Sequence, residues 1–137
     1  MKKLMILTAV AAALISCSTA EVKTINVVPY PNEVAVKAGS FDICGAEFHY
    51  DANFDEAAQN VIKSFAEQLS LVTGQQSNAT AGLSGKGVKF VYESSMGKEA
   101  YSLNISRNAV KVKASTLSGV NYAIYHHSGI DPFPLKF

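Results

Sequence analysis

The stretch NFDEAAQNVIKSFAEQLSLVTG, residues 53–74, decides the fold. Phe54, Ala58, Val61, Ile62, Phe65, Leu69 and Val72 recur at steps of three and four, a spacing that 3.6 residues per turn gathers into one apolar stripe along a helix. The ends agree. Asn53 is placed to cap the free amides, Glu56 can return the bond as in a capping box, and Gly74 suits the left-handed position after the last turn. A helix over about 54–73 is expected, and its stripe needs a second layer to bury against.

On the C-terminal side, residues 75–87 lack periodicity and read as a solvated loop. Val88 to Tyr92 reads as a strand. Tyr101 to Ile105 and Val110 to Ala114 alternate apolar with polar residues on either side of a polar turn, so they should pair as a hairpin with one face buried. Lys111 and Lys113 then mark the wet face of what reads as an edge strand. A second helix over about 117–126, capped by Ser115 or Ser118, should stop as Gly129, Pro132 and Pro134 approach. On the N-terminal side, Ile25 to Val28, Val34 to Val36, Phe41 to Ile43 and Glu47 to Tyr50 are β-favouring runs separated by Pro and Gly, which suggests a hairpin-rich sheet. The fold class is α+β: two layers, a mixed or antiparallel sheet with both helices on one face.

The first residues have a different purpose. Lys2 and Lys3 precede an apolar run to Ile15 and then Ser16-Cys17, the order of a secretory signal, and the run is too short to span a bilayer as a helix. The Cys after Leu14-Ile15-Ser16 looks like a bacterial lipobox. The expectation is a signal over 1–16, an acylated mature N-terminus at Cys17 that ties the protein to the membrane of the cell envelope, and a tether over 17–24. Without the signal, 12 − 2 = 10 basic and 11 acidic side chains remain, a balance that speaks against nucleic acid or an anionic membrane as an electrostatic partner. Cys44 is left without a disulfide partner.

Candidate chemistry is sparse. Asp55-Glu56 fits a helix N-terminus, where carboxylates favour the dipole. His126 and His127 diverge by roughly 100° on a helix and have no third ligand at a helical or strand step. His49 stands in a strand without a nucleophile in catalytic order, and Cys44 reads as a small packing residue. Gly82 to Gly87 contains a Gly-Lys pair but lacks the hydroxyl a P-loop needs for magnesium. Asn78-Ala79-Thr80 matches a glycosylation sequon that the bacterial export signal makes accidental. No catalytic, metal, substrate-binding or cofactor residue is assigned.

Several segments, in order, resemble the N-terminal non-catalytic domain of bacterial β-N-acetylhexosaminidases of glycoside hydrolase family 20. They are residues 26–33, the turn at Gly39-Ser40-Phe41, residues 99–105, and residues 110–115 followed by 119–124. The resemblance implies a domain over 25–124 that leans against a (β/α)₈ barrel. It also implies a substrate-assisted hydrolysis, in which a barrel Glu is the acid and the neighbouring Asp orients the 2-acetamido group of a terminal N-acetylhexosamine. That pair follows a His-x-Gly-Gly stretch in the barrel, and neither is present up to Phe137. This chain is therefore expected to be inactive alone, with residues 125–137 an atypical tail that looks truncated or frame-shifted. The alternative is a lipid-anchored glycan-binding module complete in itself, but the sequence has no Trp to stack on sugar faces.

Overall fold

The structure, a computed structural model, describes residues 32–35, 40–128 and 135–136. Two helices, α1 (Glu56–Thr73) and α2 (Leu117–Ser128), cover one face of a five-stranded sheet. The strands are β2 (Phe48–Tyr50), β3 (Ala79–Ala81), β4 (Gly87–Tyr92), β5 (Tyr101–Ile105) and β6 (Ala109–Ala114), in the order β3-β2-β4-β6-β5. A separate pair joins β1 (Ser40–Phe41) antiparallel to β7 (Leu135–Lys136). The α+β class and the mixed sheet under two helices are as expected.

The apolar stripe of α1 buries Ala58, Ile62, Ala66 and Leu69 on the sheet. Facing it, Phe48 and Tyr50 of β2, Val88 and Phe90 of β4, and Val110, Val112 and Ala114 of β6 alternate with outward residues, as the period of two requires. Phe48, Phe90, Ile62 and Val120 form the fully buried centre. Phe48 meets Phe65 of α1 edge to face at 5.5 Å, and Phe54 meets Tyr92 in the same way at 5.5 Å.

The caps differ from expectation by a residue or two. Asp55, not Asn53, caps α1, its carboxylate accepting the Ala58 amide at 2.7 Å, while Asn53 folds onto Asp51. The shorter reach of Asp55 to its third amide decides this, and such a cap is worth about 1 kcal/mol. Gly74 ends the helix at φ 69° as the sequence indicated. At α2 the cap is Thr116, whose hydroxyl accepts from Gly119 at 3.3 Å. Ser115 instead donates to the Met96 carbonyl at 2.9 Å, and Ser118 is already inside the helix.

Three strand expectations fail. The N-terminal third is not a set of hairpins: Val34 and Ala35 have no regular structure, Ile25 to Val28 lies outside the described residues, and β2 pairs in parallel with both β3 and β4. After Phe41 the strand stops because the Asp42 carboxylate takes the Cys44 amide at 3.0 Å, closing a local turn. The supposed loop 75–87 contains β3, a three-residue Ala-Thr-Ala strand held by backbone bonds to β2 alone, which leaves no apolar pattern to read. Lys111 and Lys113 do lie on the face without helices, but β6 is not an edge. It pairs in parallel with β4 on one side and antiparallel with β5 on the other, so the edges are β3 and β5.

One connection shapes the open face. β3 and β4 flank β2 and run in the same direction, so the chain leaving Ala81 must recross β2 within residues 82–86. It crosses on the face opposite the helices. Gly82, Gly85 and Gly87 supply φ of +109°, +92° and +110°, values that side chains resist.

Candidate functional site

His49 points away from the helices and is 8% exposed because that crossover lies on it. Its Nε2 is 3.1 Å from the Lys86 carbonyl oxygen, an atom that can only accept, so Nε2 carries the proton. Nδ1 then accepts from the Thr80 hydroxyl at 3.4 Å, and the exposed Glu47 carboxylate lies 3.9 Å from Nε2. Buried under the crossover, with both ring nitrogens taken up by Lys86 and Thr80, the imidazole acts as a peg between β2, β3 and the crossover.

The other residues singled out by sequence are dispersed. Asp55 and Glu56 open α1. Cys44 is half-buried beside Asp42, and burial, followed by the neighbouring carboxylate, pushes its thiol above the usual range. The thiolate is thus scarcer in the folded chain, and folded protein should be alkylated by iodoacetamide at pH 8 more slowly than urea-unfolded protein, the gap narrowing as pH rises. Equal rates would contradict it. His126 and His127 fall in the last turn of α2, with side chains outside those described, and Cys17 lies outside the described residues. Among the described residues no three His, Cys, Asp or Glu stand close enough to hold a metal, and no helix is long and apolar enough to cross a membrane.

The feature that remains is on the outer side of the helices. A groove of about 320 Å³ runs between α1 and α2, with Val61, Ser64, Phe65 and Gln68 on one wall and Asn121 and Tyr125 on the other. Steps of three and four carry the α1 wall on to Val72, which is 69% exposed, beside Leu71 at 85%. Tyr122 and Tyr125 of α2 are 42% and 69% exposed. Together these side chains make an exposed apolar patch that spans the two adjoining helices. Tyr125 lies within the helix expected over about 117–126, which runs on to Ser128, but nothing in the sequence marks it as part of an open face.

Fold and site together define a two-layer α+β domain with an open groove between its two helices. The chain belongs to glycosyl hydrolase family 20 by its second domain: the family model "Glycosyl hydrolase family 20, domain 2" matches residues 24–125. Similar solved structures include the GH20 β-N-acetylhexosaminidase of Streptomyces coelicolor A3(2), with a TM-score of 0.61 and 23% identity over 72% of this chain and 20% of that one. The GH20 exo-β-N-acetylglucosaminidase of Vibrio harveyi gives 0.55 and 23% over 73% and 15%. The chitobiase of Flavobacterium johnsoniae gives 0.58 and 19% over 76% and 18%. At these identities the likeness establishes the fold. The chain matches no individually curated protein, and it spans a fifth or less of the solved enzymes it resembles.

Proposed function

We propose that this chain is the accessory, non-catalytic domain of a β-N-acetylhexosaminidase, an enzyme that removes terminal non-reducing N-acetylhexosamine from glycans, and that Cys17 tethers it at the bacterial cell envelope. The family match over residues 24–125 carries the reading. The exposed groove between α1 and α2 supports it, since an accessory domain must offer its barrel an apolar surface. Hydrolysis then requires a barrel beyond these 137 residues, and the domain's work is to brace that barrel.

Two measurements test this. The 137-residue chain, freed of contaminating hexosaminidase, should not turn over a chromogenic N-acetylglucosaminide; enzyme-like rates would sink the reading. In an enzyme that joins this domain to a barrel, Val72→Asp with Tyr125→Asp should shorten the thermal half-life of activity severalfold while leaving KM unchanged. An unaltered half-life would remove the groove from the docking surface.

A further inference from the structure

The open face of the sheet carries charge that the fold does not need. Register sets Thr80, His49, Lys89, Lys111 and Asn104 in one row across all five strands, and Val91, Lys113 and Ser102 in the next. Lys89 and Lys111 are direct partners on neighbouring strands, where like charges repel. Neither forms an ion pair among the described residues; Lys113 alone is held, by Glu93 at 3.7 Å. With exposed Lys86 on the crossover, this face has four lysines against Glu47 and Glu93, or 4 − 2 = +2. α1 and its cap carry Asp55, Glu56 and Glu67 against Lys63. The even balance of the whole chain hides this separation into a basic sheet face and an acidic helical layer.

We propose that the open sheet face is an electrostatic seat for the anionic headgroups of a lipid bilayer. The proposal rests on the acylation of Cys17 and on the helical groove being taken by the barrel, which leaves the sheet as the side free to turn toward the membrane. Beside the crossover that covers His49 and carries Lys86, the outward residues Lys89, Lys111 and Asn104 follow one another on neighbouring strands, an open polar and basic strip that suits a surface of phosphates better than a single enclosed ion. Each lysine near such a surface is worth about fivefold in binding, so Lys89 and Lys111 together give roughly 25-fold. That suffices to orient a domain already held by its anchor, and salt weakens it.

The test uses the full chain with its anchor, the acyl groups on Cys17 verified by mass. It is placed in vesicles of phosphatidylcholine alone or with about a third phosphatidylglycerol. Acetylation of Lys89 and Lys111, read by mass spectrometry against Lys63 on the helical layer, should fall about fivefold in the anionic vesicles only and recover in high salt. Lys89→Glu with Lys111→Glu should abolish the difference read at Lys113. Acylated protein labelled equally in both vesicle types would overturn the sheet-face seat alone, whereas a Cys17 without lipid would overturn the anchor and the seat together. Protection by a soluble anionic polysaccharide but not by vesicles would overturn the bilayer as the occupant.

Discussion

Gly87→Ala should destabilise the domain by about 3–5 kcal/mol, enough to unfold much of it at 37 °C. Gly87 starts β4 at φ +110°, and a Cβ there would overlap the Glu47 carbonyl oxygen, which is itself committed to the Val88 amide at 2.9 Å. Backbone strain and overlap therefore fall on one residue, and relieving the overlap breaks the first bond between β2 and β4. Gly82→Ala is the control: φ is +109° there, but nothing lies within 4 Å of the added carbon, so only strain of about 1–2 kcal/mol remains. Urea midpoints of the two variants measure the difference, and equal losses would show that the Glu47 carbonyl yields freely.

Phe48→Ala should cost about 3–5 kcal/mol by loss of burial and the cavity left behind. Its ring is fully buried at the middle of the sheet, pressed on α1 and edge to face with Phe65 at 5.5 Å, and no small neighbour can move in from β3 or β4 without giving up strand bonds. Phe48→Leu keeps most of the volume and should lose less than about 1.5 kcal/mol. Calorimetry resolves the pair; a loss under about 1.5 kcal/mol for the alanine variant would mean the site collapses and Phe48 is not the keystone of the core.

How far the sequence went is explained by the range of each interaction. α1, β4 and the β5–β6 hairpin were legible because their determinants are local: a stripe at three and four, a run of apolar residues, an alternation on either side of a turn. The parallel pairs of β2 with β3 and of β4 with β6 join segments far apart in sequence, and such pairing imprints nothing on either strand alone. For this reason the sequence around β3 reads as a loop and Lys111 as an edge residue. The caps at Asp55 and Thr116 were missed because several Asp, Asn, Ser and Thr stand within three residues of each helix start, and geometry chooses among them. For the candidate site, Asp55-Glu56 was read correctly as a helix start. The burial of His49 had one usable signal, the Gly82, Gly85, Gly87 series, which marks a chain forced through a tight recrossing. The open groove was half legible: Val61, Phe65 and Val72 were assigned to the α1 stripe, but all were expected to be covered.

The strand order also has a consequence in time. β2 is an interior strand, yet Phe48 waits for Val88, 88 − 48 = 40 residues later, before its neighbour β4 exists, and the central β4 waits in turn for β6. At synthesis rates of about 5–20 residues per second that is a delay of roughly 2–8 s, during which Phe48 and Tyr50 are exposed and prone to stick. α1 is the element that emerges in the interval, and its apolar stripe is the surface these rings finally bury against. The early helix can therefore shelter the early strand while the sheet is still incomplete, a task distinct from anything α1 does once folding is finished.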